Sequence, residues 1–336
     1  MRYKKLYGTS EEISVMGLGG WAVGGQNYGP TEDSETIRAI HAALDMGVNF
    51  IDTAPDYGQK NSEALIGKAI KDRRDKVFLT TKLDRGGGYD YAMEQIDKSL
   101  ERLGVDYVDA YYLHWPDTRV PIEESMSAFR DLQKAGKIRY VGVSNFDIAL
   151  LEEAQKTVKI QLMQPPFSLV DQRQRERLEW CESHGINIVT YGSLGGGILT
   201  GRYRTLPEFD EKDPRITFYD FFKEPKFSKC MELLAVLDKI AADHKVPVSQ
   251  VAINWVSQQS FVTTSLMGVT KVPHAKENAA AFDWELSPEE LGAIDDEYER
   301  VGLGRMGWQK SVIQDETAEH GIRVKWIPYG DETERK

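Results

Sequence analysis

The sequence predicts an α/β protein, a (β/α)8 barrel of the TIM type, and three observations carry the prediction. Eight short apolar runs recur along the chain. Amphipathic stretches lie between them, and several stop at a glycine. The alternation occupies about 250 of the 336 residues, the span of one such barrel.

In order, the runs are SVMGLGG (14–20), VNFIDT (48–53), KVFLTTK (76–82), YVDAYYLH (107–114), IRYVGVS (138–144), IQLMQP (160–165), INIVTYG (186–192) and FVTTSLMG (261–268). Several are apolar almost throughout, as strands buried on both faces should be. Helical periodicity fills residues 33–46, 91–103, 122–135 and 173–184, followed by Gly47, Gly104, Gly136 and Gly185. A glycine at that point takes the left-handed conformation that ends a helix. The rhythm breaks after strand seven. Residues 193–227 are rich in Gly, Pro and aromatics and read as a long functional loop. Residues 301–336 read as a C-terminal tail lying over the active-site face, charged and frayed at its end. No linker and no repeat of roughly 20–50 residues appears, so the chain reads as one domain, 1–336, with its core at 14–300.

Apolar residues make up 41% of the chain and charged residues 28%, with a net charge of -11. That acidity is a poor match to nucleic acid or an anionic membrane. An anionic ligand needs locally placed basic groups or backbone N–H groups. The N-terminal MRYKKLYGTS lacks the apolar core of a signal peptide, and no run approaches the roughly 18 apolar residues of a membrane span. Cys181 and Cys230 form no CxxC. The reading is a soluble cytoplasmic protein, monomer or homo-oligomer. Cys181 and His184 sit three apart on a helix with no further ligand nearby, so no metal site is read there.

Chemistry in such a barrel belongs to the C-terminal strand ends. The polar residues there are Asp52, Lys82, His114, Asn145, Gln164 and Tyr191, with Tyr57 on the loop past Asp52. Lys82 ends an apolar run, so its ammonium needs a partner, and Asp52 on the neighbouring strand supplies one. A free phenol has a pKa near 10, too high for an efficient acid at neutral pH. An ammonium beside Tyr57 is expected to lower it. Neutral His114 can donate a hydrogen bond that orients a substrate oxygen. Tyr57 then protonates a carbonyl oxygen as a hydride reaches the carbon. None of these side chains supplies a hydride, so a nicotinamide is implied.

With GVNFIDTAPDYG, FLTTK, YYLHWP, RYVGVSNF and YGSLGGGILTGRY in this order, the chain resembles the aldo-keto reductase superfamily. It is most similar to the bacterial branch related to general-stress reductases and potassium-channel β subunits. The likeness runs over about residues 3–291. It implies a catalytic tetrad of Asp52, Tyr57, Lys82 and His114, and a substrate pocket of Trp21, Tyr57, His114 and Trp115. By the same resemblance Gly20, Trp21 and Asp52 border the cofactor, Ser144, Asn145 and Gln164 surround its carboxamide, and Tyr191 stacks on the nicotinamide. GLGGWA (17–22) matches a dinucleotide fingerprint, but no helix pattern follows it, so a Rossmann reading is rejected.

Gly192, Ser193, Leu194, Gly197 and Arg202 lie in the loop after strand seven. Its three successive glycines allow backbone N–H groups to approach a phosphate, and Arg202 adds charge. After strand eight, Gly268, Thr270, Lys271, Glu277 and Asn278 match the segment that holds the adenosine end. Thr270 and His274 stand where relatives place an Arg for the 2′-phosphate, leaving Lys271 as the full charge. The implied cofactor is NADP(H), with NAD(H) as the alternative. Trp308 and the aromatics Tyr203, Phe218, Tyr219, Phe221 and Phe222 are further candidates to line or cover the site.

Three functions compete. One is NAD(P)H-dependent reduction of an aldehyde or ketone, reversible toward alcohol oxidation. Another is a cofactor-binding redox-sensing subunit with slow turnover. The third, a non-redox barrel enzyme such as a phosphate-dependent lyase, explains the Gly-rich loop but not Asn145, Gln164 and Tyr191 together.

Overall fold

The computed structural model describes residues 1–25, 32–58, 61–85, 87–117, 119–210, 213, 215, 219–303 and the backbone of two strands near the C-terminus. A short antiparallel hairpin comes first, β1 (Tyr3–Lys5) with β2 (Glu12–Ser14). Eight parallel strands then close into a barrel. They are β3 (Met16–Gly19), β4 (Phe50–Asp52), β5 (Phe78–Arg85), β6 (Val108–Trp115), β7 (Ile138–Ser144), β8 (Leu162–Gln164), β9 (Asn187–Thr190) and β10 (Val262–Gly268). Each pairs with the next, and β10 pairs back with β3. All eight predicted runs are barrel strands. Parallel neighbours need crossovers, and helices supply them, among them Asp33–Asp45, Asn61–Ile70, Tyr89–Leu103, Ile122–Lys134 and Arg175–Ser183. The four predicted glycine stops all take positive φ, as at Gly104 with φ 65°.

Side chains alternate across a strand, and here the alternation decides what points inward. Phe50, Phe78, Ala110, Tyr112, Leu162, Val189 and Leu266 form one buried cluster with Leu6 and Ile13. Their sequence neighbours Ile51, Leu79, Tyr111, Leu113, Met163 and Ile188 belong to the larger cluster shared with the helices. Tyr111, for example, stacks on Phe129 of the helix Ile122–Lys134 at 5.0 Å between ring centroids. The first set is therefore the barrel interior. Leu6 and Ile13 come from the N-terminal hairpin, so the hairpin plugs the end where the strands begin. The Phe50–Phe78 and Phe78–Tyr140 ring pairs, 5.3 and 5.8 Å apart, fill that floor. Each buried phenylalanine there contributes about 1.5–3 kcal/mol through loss of contact with water. A dry floor leaves the other end of the barrel for polar groups.

The long loop after β9 contains short 3-10 turns at Gly195–Thr200 and Asp220–Phe222. Phe218 lies outside the described residues, as do the side chains of the tail, Trp308 included. The tail's last residues, expected to fray, lie outside the described residues. Strands β11 (Trp308–Gln314) and β12 (Ile322–Pro328) pair antiparallel over seven register positions. Both strands mix apolar and charged residues without a regular alternation along the first. No helix among the described residues is long and apolar enough to cross a membrane.

Candidate active site

Asp52 shares the inward parity of Phe50, and Thr80 and Lys82 that of Phe78. His114 follows Ala110 and Tyr112, Gln164 follows Leu162, and Tyr191 follows Val189. Period-two geometry alone thus aims these side chains into one barrel mouth. There Lys82 Nζ donates to Asp52 Oδ2 at 2.6 Å and to the Thr53 carbonyl at 2.8 Å. Both side chains of the pair are almost fully buried, at 0% and 2% exposure. Asp52 Oδ1 accepts from Thr80 Oγ1 and Gln164 Nε2, each at 2.9 Å. The carboxylate is thereby held by three donors, as a buried charge must be.

Tyr57 lies on the turn beyond β4. Lys82 Nζ stands 4.8 Å from its ring centroid, and the His114 ring meets it edge-on at 6.0 Å. The four expected tetrad residues therefore share one cleft. One expectation fails. The Tyr57 phenol is held well above its ordinary pKa, first by desolvation, then by Asp52, Asp56 and Tyr191. The ring keeps partial solvent access, yet protein packs closely enough for desolvation to lead. Lys82 does not reverse this, because Asp52 neutralises the ammonium at 2.6 Å and the pair presents little net positive field. The phenol is therefore not acidified by its neighbours.

Glycine at position 20 follows from the closeness of β4. Gly20 N–H donates to the Asp52 carbonyl at 2.7 Å, and a Cβ there would lie 2.6 Å from that same oxygen. The turn after β3 also abuts the Tyr57 turn, since a Cβ on Gly58 would fall 2.2 Å from the Gly24 carbonyl oxygen. Trp21 is thus placed on a turn beside Tyr57. Gly268, at the end of β10, reaches the same turn: a Cβ on it would stand 3.2 Å from Ala22 Cβ.

On the other side, Asn145 sits in the left-handed region at φ 63°. Its Nδ2 donates to the His114 carbonyl at 2.8 Å and to Ser144 Oγ at 3.1 Å, and Ser144 Oγ donates to the Gln164 carbonyl at 2.8 Å. These bonds tie β6, β7 and β8 together at the mouth. They also commit several groups expected to read a carboxamide: Gln164 keeps Oε1, having given Nε2 to Asp52. Trp115 is 6% exposed and shares the outward parity of Tyr111 and Leu113, so it offers a substrate little surface. Asp56, Asp84 and His114 place possible ligand atoms within 4.8 Å of one another, a grouping the sequence reading missed because it spans three strand ends.

The loop after β9 is shaped by its three glycines. Gly195, Gly196 and Gly197 all have positive φ, at 55°, 59° and 101°. Yet Gly195 N–H donates to the Gly192 carbonyl at 2.8 Å and Gly197 N–H to that of Leu194 at 3.0 Å. These two amides close the turn. Ser193 Oγ is 2.7 Å from Ser265 Oγ and latches the loop to β10. Tyr191 points inward, and burial raises its phenol. A Cβ added at Gly192 would meet nothing within 4 Å, so open space lies over the loop's first residue. Arg202 and Lys271 are exposed, with Lys271 at the N-cap of the helix Val272–Ala280. Thr270 precedes it. Glu277 accepts from Ser249 Oγ at 3.0 Å, while Asn278 is buried at 8% exposure. Two exposed cations, an inward tyrosine ring and a mouth lined by glycines are groups that could hold a dinucleotide.

A family profile described as "Aldo/keto reductase family" matches residues 15–299. The chain belongs to the aldo/keto reductase family. It is 36% identical over 303 residues to Aldo-keto reductase YhdN of Bacillus subtilis, covering 86% of this chain and 91% of that protein. It is 30% identical over 309 residues to the NADH-specific methylglyoxal reductase of Escherichia coli, covering 83% and 93%. Among solved structures, the glycerol dehydrogenase AKR11B4 from Gluconobacter oxydans superposes with a TM-score of 0.82 at 32% identity, covering 89% of this chain and 95% of that one. An aldo/keto reductase from Klebsiella pneumoniae, in complex with NADP and acetate, gives 0.70 at 28% identity, covering 87% and 94%. Like its aldo/keto reductase relatives, the protein is an NAD(P)-dependent oxidoreductase.

Proposed function

We propose that the protein reduces an aldehyde or ketone to the alcohol, reversibly, with Tyr57 as proton donor. The observation that carries this is a phenol whose ring faces both the Lys82–Asp52 pair and His114 in one cleft. A bound nicotinamide supplies the hydride. His114 orients the carbonyl oxygen toward Tyr57. As negative charge grows on that oxygen it becomes more basic than the phenolate, and the Tyr57 proton moves to it. Lys82 then stands beside the phenolate, and Asp52 keeps Lys82 in place. Tyr57→Phe tests the assignment. We expect carbonyl turnover, followed by the loss of reduced-nicotinamide absorbance, to fall by about 10²–10⁴-fold while cofactor binding persists. Turnover near the wild-type rate refutes it.

For the cofactor we assign NADPH, with Lys271 and Arg202 as the cations at the phosphate end. NADH is a second reading, favoured by Thr270 and His274 at the positions where an Arg fork would grip the 2′-phosphate. Parallel fluorescence titrations with NADPH and NADH separate the two. The substrate is a small-molecule carbonyl compound or alcohol.

A further inference from the structure

Behind the tetrad, on the helix side of the barrel, lies a charged group that the chemistry above does not use. Glu63 is fully buried. Its Oε1 accepts from Thr81 Oγ1 at 2.7 Å, and its Oε2 accepts from Arg102 Nε at 2.5 Å. Arg102 also donates to Ser99 Oγ at 3.0 Å. The helix Asn61–Ile70 comes close enough for this because Gly67 lies against the end of the helix Tyr89–Leu103, where a Cβ would sit 2.3 Å from the Leu103 carbonyl oxygen. The preceding residue, Ser62, donates to the Gly20 carbonyl at 2.8 Å and shares a 2.8 Å bond with Thr53 Oγ1.

Two consecutive helix residues therefore grip both halves of the buried pair's framework. Thr81 precedes Lys82 on β5 and points outward where Lys82 points in. Thr53 presents the carbonyl that accepts from Lys82 Nζ at 2.8 Å. An apolar contact would hold helix to strand without the desolvation of a carboxylate, but only directional bonds fix the strands' relative position. We propose that Glu63, through Thr81, is a positioning residue that sets where the Lys82 ammonium stands relative to Asp52 and Tyr57, with Ser62 as its companion on Thr53. The proposal rests on the reductase reading for its kinetic consequence, not for its geometry.

The test compares Thr81→Val with Thr81→Ser. Valine keeps the shape and removes the donor to Glu63; serine keeps the donor and removes a methyl. We expect Thr81→Val to lower kcat about tenfold, since small misplacements of reacting groups are costly, with KM and NADPH affinity within about twofold of wild type. Thr81→Ser should recover most of that kcat. Equal losses in the two variants, or a Thr81→Val that is less stable but equally active, overturn the proposal. A readout independent of turnover accompanies this: the NMR signal of Lys82 in protein labelled at the lysine ε-carbon, assigned through Lys82→Met. It should move in Thr81→Val and return in Thr81→Ser, and an unmoved signal overturns the positioning role. A wild-type protein without carbonyl turnover refutes the reductase reading alone, because the Lys82 signal still decides the positioning.

Discussion

Replacing Lys82 with methionine keeps a long apolar stem and removes the ammonium. Asp52 then loses its 2.6 Å partner and keeps the donors from Thr80 and Gln164, while remaining 1% exposed. Removing one member of a buried pair costs about 3–5 kcal/mol, because the other charge stays desolvated. Urea unfolding of wild type and variant at about pH 8 measures the loss. The double variant Asp52→Asn with Lys82→Met should regain at least about 2 kcal/mol relative to Lys82→Met, since the two side chains touch. A loss under about 1 kcal/mol, or no regain in the double variant, refutes the claim that the pair is buried and mutually dependent.

Other outcomes follow from the same geometry. Because burial and neighbouring acids hold the Tyr57 phenol above its ordinary value near 10, kcat for carbonyl reduction should lose nothing to Tyr57 ionisation up to about pH 9. An alkaline limb near neutrality that vanishes in Tyr57→Phe argues otherwise. Alcohol oxidation, which needs the phenol to shed its proton, should rise with pH over that range. Gly20→Ala pushes a methyl to 2.6 Å from the Asp52 carbonyl oxygen, so we expect a stability loss of about 1–3 kcal/mol and weaker activity, read by thermal unfolding and initial rates. Lys271→Ala should weaken NADPH by about tenfold, as loss of one charge-assisted contact, and leave NADH unchanged. Equal effects on the two nucleotides remove Lys271 from the 2′-phosphate.

Most of the centre could be read from the chain by counting. Once VNFIDT and KVFLTTK are strands, period two puts Asp52 with Phe50 and Lys82 with Phe78 on one face. Consecutive strands in a barrel are neighbours, so the ion pair follows. His114, Gln164 and Tyr191 yield to the same count. Other features have no such local mark. Glu63 looks like any charged residue in the first turn of a helix; its partners lie 18 and 39 positions away, and only helix packing at Gly67 brings Arg102 to it. The tail hairpin depends on pairing two strands whose own sequences are weakly patterned.

The chain by itself determined the barrel, the eight strands and which side chains enter the mouth, because alternation and strand order are properties of sequence. Tertiary structure decided the balance of forces among those side chains. Whether Lys82 acidifies Tyr57 turns on a 2.6 Å contact with Asp52 that cancels its field, and only the folded loop shows that the amides of Gly195 and Gly197 already meet carbonyls of their own turn. Electrostatic energy and hydrogen bonding vary steeply with distance, and distance is what a list of residues does not contain.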